Sequence, residues 1–195
     1  MSPCRSTVPR FRSMVAVTVI ELIIAVAILA ILVSIAAPSF REISLRNRSS
    51  TATNSLLADL ALARNEAVKS ARTAYVEARG DWSEGWFVWV DADGDGRRGG
   101  DEPILRQQGP VDSPEVHARS AFVLSAVSGT NGAGTDLARV GFAPLGQIRE
   151  PNNGARFALC RPDGDVAKSI GVRLDLSGRA ESVRDLRMLN LGCDG

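Results

Sequence analysis

The pattern of apolar and polar positions changes character twice along the 195 residues. Residues 14–37 form an almost unbroken apolar run, in which only Thr18, Glu21 and Ser34 are polar. At ~1.5 Å per residue these 24 positions make a helix of ~36 Å, enough to cross ~30 Å of hydrocarbon. Through residues 39–72 the run gives way to three- and four-residue spacing. Leu56, Leu57, Leu60, Ala61, Ala67, Val68 and Ala71 recur, with Arg64, Glu66, Lys69 and Arg72 mostly between them. That spacing predicts an amphipathic helix. Residues 46–54 are rich in Ser, Thr and Asn and read as a softer section. Pro38 lacks a backbone donor and is expected to bend the helix.

From about Tyr75 the period becomes two. Strand candidates are residues 86–90, 104–107 as the return strand, 121–127, 138–142, 155–160 and 170–176. The last shows clean alternation, with Ile170, Val172 and Leu174 on one face and Arg173 and Asp175 on the other. Ser177-Gly178 follows as a turn, and residues 128–135 read as a Gly-rich loop. Short strands after a long helix predict an α+β fold, with antiparallel sheets packed on that helix.

Composition narrows the chemistry. Lys+Arg is 23 and Asp+Glu is 22, a net charge of +1, which excludes a polyanion binder acting by bulk charge. An apolar content of 45% excludes wholesale disorder. One histidine, His117, and three cysteines exclude a multi-histidine metal site and a four-cysteine zinc site. His117 stands in Ser-Pro-Glu-Val-His-Ala-Arg with no nucleophile elbow anywhere in the chain, and reads as a surface loop residue. Asp, Glu and Ser are otherwise too scattered to nominate a catalytic pair, so no enzymatic activity is expected.

Arg5, Arg10 and Arg12 precede the apolar run with no acid among them. They should stay in the cytoplasm and place the rest of the chain outside. A cleaved secretory signal fits poorly, because the run is too long and Pro-Ser-Phe-Arg follows it. A plain anchor has no use for Glu21, since a carboxylate within an apolar span costs ~2.5–3.5 kcal/mol. Such a carboxylate marks a partner carrying positive charge.

Val17-Thr18-Val19-Ile20-Glu21-Leu22 resembles the amino-terminal motif of the type IV pilin and type II secretion pseudopilin superfamily. The resemblance implies a basic leader, residues 1–16, removed on the cytoplasmic face by prepilin peptidase. Cleavage between Ala16 and Val17 makes Glu21 the fifth mature residue and Pro38 the twenty-second. In the superfamily the new amino terminus is usually N-methylated, the Glu serves assembly, and a proline commonly kinks the helix there. Two departures stand out: Ala16 replaces the usual Gly, and Val17 the usual Phe. The body is most similar to the GspH/FimT group, through Gly85-Trp86-Phe87-Val88-Trp89-Val90-Asp91 with Asp93-Gly94-Asp95-Gly96, through Phe142-Ala143-Pro144-Leu145-Gly146, and through the turn Ser177-Gly178-Arg179.

Removal of the leader takes Cys4 with it and leaves Cys160 and Cys193. An even pair outside the cytoplasm suggests a disulfide, against the alternative of two buried thiols. Asp91, Asp93, Asp95, Gly96 and Glu102 fit a calcium-loop spacing, in which alternate carboxylates offer oxygens to a hard cation. Strands rather than helices flank it, Arg97 and Arg98 offset its charge, and a solvated hairpin turn is the competing reading. Some pilins of the group resemble DNA-uptake receptors with a Gly-Arg-x-Arg motif. Here that place reads Gly178-Arg179-Ala180-Glu181, so an acid replaces the second arginine. Arg173, Arg179, Arg184 and Arg187 could form a stripe, yet residues 149–187 carry eight Lys/Arg against six Asp/Glu, a surplus of only two. Among the tryptophans, Trp86 should share a strand face with Val88 and Trp89 should face the other way, so at least one is core.

The expectation is a minor pseudopilin or minor pilin, a subunit of a type II secretion pseudopilus or of a type IV pilus tip. The alternative is a DNA-binding minor pilin. Its parts are the leader 1–16, a transmembrane assembly helix 17–38, a spine helix 39–74 and a β-domain 75–195. The resemblance implies a single-pass protein of the bacterial inner membrane, with a cytoplasmic amino terminus and a periplasmic domain. Its partners would be other pilins, prepilin peptidase, the inner-membrane assembly platform and lipid, with DNA only on the alternative reading. No cofactor is expected, calcium being the one ion for which the sequence offers ligands.

Overall fold

A computed structural model describes residues 18–111, 122–129 and 134–193. Two compact units divide the chain, Met1–Ile43 and Ser44–Gly195. The first helix, α1, spans Val19–Ser70. Pro38 falls inside it, so the proline does not end the helix. Nine strands follow: β1 (Ala74–Arg79), β2 (Asp81–Val90), β3 (Ile104–Gln107), β4 (Val123–Ser128), β5 (Arg139–Phe142), β6 (Ile148–Glu150), β7 (Ala155–Cys160), β8 (Ile170–Leu174) and β9 (Ala180–Arg184). A short 3-10 helix, η1 (Leu186–Leu189), comes last. The strands form two antiparallel sheets, β3-β2-β1-β5-β6 and β4-β7-β8-β9.

Both sheets and the second part of α1 share one core. It joins Leu56, Leu60, Ala63 and Ala67 of the helix to Val76, Trp86, Val88 and Phe142 of the first sheet and Phe157, Val172 and Leu174 of the second. The expected helix stripe is rotated from this. Leu56, Leu60 and Ala67 are buried, but Ala61, Val68 and Ala71 face outward and Ala63 takes an inward place. The inward face also includes Ser49, Thr53 and Asp59. Ser49 Oγ donates to the Leu45 carbonyl at 3.1 Å, and Thr53 Oγ1 to the Ser49 carbonyl at 2.8 Å. Hydroxyls that bond back to their own helix can be buried. The supposed soft section 46–54 is therefore helix, and part of it is packed.

Asp59 ties the helix to the first sheet. Its carboxylate is fully buried and accepts from Trp86 Nε1 at 2.8 Å and from Arg106 at 2.9 Å. Trp86 comes from β2 and Arg106 from β3, so one helix residue fixes its position against two strands. The helix ends four residues before the expected residue 74. Ala71 turns left-handed with φ 54, and β1 begins at Ala74. The strand expected over 170–176 stops at Leu174, because residues 175–179 close a turn through Asp175 N–H to the Arg179 carbonyl at 3.0 Å.

Each sheet's outer face has its own cover. On the first, Tyr75 stacks on Trp89 with ring centroids 4.8 Å apart, Trp89 Nε1 donates to Glu77 at 2.9 Å, and the Arg139 guanidinium lies 4.8 Å over the Tyr75 ring. Burial pushes the Tyr75 hydroxyl above its ordinary value, against the lowering pull of Arg139. A Cβ on Gly141 would collide with the Tyr75 ring, so that glycine gives the ring its place. All three tryptophans are buried, with Trp82 and Trp86 in the main core and Trp89 on the opposite face, as the strand alternation predicts. On the second sheet, Leu186 packs on Ala158 and Cys160, and the buried Arg156 donates to the Gly129 carbonyl at 2.8 Å and to the Leu189 carbonyl.

Replacing Asp59 with Ala should leave the Trp86 indole N–H and part of Arg106 without an acceptor, at a cost of about 2–3 kcal/mol. Urea unfolding of the detergent-solubilised chain would measure it, with the loss seen as a lower midpoint at unchanged slope.

Candidate functional site

The amino-terminal end of α1 begins on a side-chain cap. Thr18 Oγ1 accepts from the Glu21 backbone N–H at 3.3 Å, and the Thr18 carbonyl accepts from Leu22 at 3.1 Å. Thr18 thus takes one of the donors that a helix start leaves unmatched, and Glu21 stands at the third helical position, near the positive end of the helix dipole. The Thr-x-x-Glu spacing before an apolar run is a legible capping signal that the sequence reading passed over. Glu21 is exposed, as are the large apolar side chains from Val19 to Ile35. By length and composition this helix can cross a membrane. Ala16 and Val17, at the expected cleavage point, lie outside the described residues, as does His117.

The Asp-rich loop sits between β2 and β3. Carboxylate oxygens of Asp91, Asp93 and Asp95 lie within 4.8 Å of one another. Glu102, the expected fourth ligand, stands outside that group. Its two oxygens accept from Ala92 N–H at 2.7 Å and Gly99 N–H at 2.8 Å, so it staples the loop's two ends. Asp91 is buried and accepts from Gly94 at 2.7 Å and Gly96 at 3.1 Å. Asp93 and Asp95 each accept a backbone N–H two residues on, at 3.1 and 2.7 Å. These are turn-forming Asx contacts. Gly96 approaches the Tyr75 hydroxyl and its carbonyl accepts from Arg139, which closes the loop over the outer aromatic pair. Asp93 and Asp95 each use one carboxylate oxygen in these contacts, and the loop lies against Tyr75 through Gly96.

The four arginines do not assemble into a free stripe. Arg173 is held by Glu181, its cross-strand partner on β9, and lies 3.8 Å from Asp175. Arg187 is bound by Asp185 at 2.6 Å, and that hydrogen bond holds Asp185 below the usual carboxylate range. Arg179 and Arg184 are exposed and make no ion pair among the described residues. Glu181, the acid that replaces the second arginine of the uptake motif, is thus the group that neutralises Arg173. Cys160 and Cys193 form a disulfide, with Cα atoms 5.6 Å apart. It ties the segment after η1 to β7 and so fastens the cover on the second sheet.

The geometry agrees with comparisons to known proteins. The sequence profile of the family described as "Type II transport protein GspH" matches residues 52–178. No curated protein matches by sequence. In structure the chain is similar to the type IV minor pilin FimU of Pseudomonas aeruginosa, with TM-score 0.55 and 22% identity over 72% of this chain and 91% of that one. It is also similar to the minor pseudopilin EpsH from the type II secretion system of Vibrio cholerae, with TM-score 0.51 and 11% identity over 72% of this chain and 96% of that one.

Calcium or a chelator is expected to leave the melting temperature unchanged where Asx contacts alone hold the loop; a rise of several degrees with calcium would assign the loop to an ion. Reduction of Cys160–Cys193, which are 33 residues apart, should lower stability by about 3–4 kcal/mol in denaturant titrations. From its profile match and its fold, the chain belongs to the GspH family of minor pilins and pseudopilins, structural subunits rather than enzymes.

Proposed function

We propose that this chain is made as a precursor, cut between Ala16 and Val17 by prepilin peptidase, and held in the inner membrane by α1 until an assembly platform draws it into a filament. Leader arginines stay in the cytoplasm and the β-domain faces the periplasm. The chain then serves as a minor subunit near the filament tip, where the β-domain supplies contacts to other subunits.

One observation carries this reading. Glu21 is the single charge in the apolar start of α1, and it stands beside the capped first turn. A carboxylate there is costly in hydrocarbon and becomes tolerable once paired with a neighbour's amino terminus. The pairing is an interaction between chains, and it explains why an otherwise plain anchor keeps an acid.

Glu21→Gln keeps the side chain's size and removes the charge. The variant should reach the membrane in normal amounts and be depleted from sheared filaments; normal incorporation would remove the assembly role. A deletion strain scored for both secreted enzyme activity and surface pili separates the two machines. Loss of secretion with intact pili would assign the chain to a secretion pseudopilus, and loss of pili would assign it to a type IV pilus.

A further inference from the structure

Two sequence pieces that carried the family resemblance meet in space. The turn 143–147 closes through Ala143 N–H to the Gln147 carbonyl at 2.9 Å and Gly146 N–H to the Ala143 carbonyl at 2.8 Å. The turn 175–179 lies against it. A Cβ on Gly178 would run into the Gly146 carbonyl oxygen, and both glycines have left-handed φ, +78 and +83. Arg64 of α1 locks the pair, donating from Nε to the Gly146 carbonyl at 2.8 Å and from its terminal nitrogen to the Ser177 carbonyl at 3.2 Å. Ile148 N–H adds a bond to the Leu176 carbonyl at 3.1 Å.

This rigid knot presents apolar side chains to solvent. Leu145 is 84% exposed, and Leu176 and Val68 are each 53% exposed. Beyond Ile43, the described residues leave seven large apolar side chains exposed, and three of them belong to this knot. Leu145 does not hang on a loose loop, because the turn that carries it is bonded at both ends. A preorganised apolar tip is a common anchor of protein contacts, since ordering it costs little on binding.

The knot is also positive. Arg64 spends its donors on carbonyls and has no acid partner among the described residues, and Arg179 is exposed without an ion pair among them. Asp175 and Glu181 share the one charge of Arg173, which leaves a single carboxylate against Arg64 and Arg179, and Glu66 is matched by Lys69. A net positive charge from Arg64 and Arg179 therefore flanks the apolar tip, and it calls for a carboxylate on the other side.

We propose that the paired turns, locked by Arg64, dock an apolar segment flanked by Asp or Glu on a neighbouring, different subunit of the filament. The proposal rests on the filament reading above. A protein fits better than nucleic acid, since the tip's centre is leucine and valine rather than a row of arginines.

The test places a photo-crosslinking amino acid, p-benzoylphenylalanine, at Leu145 of the full-length chain, expressed in its native host lacking the wild-type gene. After irradiation, the expected product is an adduct in sheared filaments, mapped by mass spectrometry to an acid-flanked segment of another filament subunit. Leu176→Glu and Arg179→Glu should each cut that adduct about tenfold, with unchanged amounts of chain in the membrane. An adduct to a second copy of the chain, or to lipid, would overturn the proposal, as would no adduct from a chain that is present in filaments. Salt-sensitive retention of duplex DNA by the detergent-solubilised chain, lost in Arg179→Ala, would give the surface to nucleic acid instead. A chain absent from filaments altogether would remove the filament reading and the docking surface with it, which distinguishes the two failures.

Discussion

An apolar helical stretch that is left exposed among the described residues sets the terms for the whole protein. From Val19 to Ile35, and again at Phe40 and Ile43, every large apolar side chain of α1 is more than half exposed. Burying a side chain of this kind is worth roughly 1.5–3 kcal/mol, so the stretch must be covered by lipid or by other helices. Membrane residence and filament assembly are two answers to that one demand. On the proposed function, Glu21 would supply the direction. In lipid its carboxylate is a burden of ~2.5–3.5 kcal/mol. Beside a partner's positive charge that burden would be relieved.

The β-domain answers a different demand, to hold a rigid shape on the second part of α1. Its core is continuous from α1 through both sheets, and Asp59 pins the helix to β2 and β3 through Trp86 and Arg106. The outer faces are closed separately. The acidic loop lies against Tyr75 on one sheet, and the disulfide-tied tail covers Ala158 and Cys160 on the other. Breaking any one of these covers would bare apolar surface while leaving the central core in place. The Asp cluster orders the loop on one sheet, and the cysteine pair fastens the tail on the other.

The fold class is legible because its two periods are strong. Residues 155–160 and 104–107 are strands as the spacing predicts. Strand β1 is less visible because its outward Tyr75 is buried by a loop from elsewhere, which erases the alternation of burial. β6 has three residues, too few for a period. The rotation of the helix face was hidden by Ser49, Thr53 and Asp59, polar residues whose partners are a helix carbonyl or a distant strand. The role of Glu102 was hidden for the same reason, since spacing shows which carboxylates can reach an ion and not which backbone donors compete for them. The knot at Arg64 joins residues 82 and 113 positions apart, a separation that no local pattern reports.

The mature chain is proposed to begin at Val17 and to travel from membrane to filament on α1. Mass spectrometry of the intact chain from membrane and sheared-filament fractions of one culture tests it most directly. The account predicts a chain starting at Val17 in both fractions, with a methylated amino terminus and a Cys160–Cys193 disulfide. A chain that retains residues 1–16 in the membrane and never appears in filaments would contradict it.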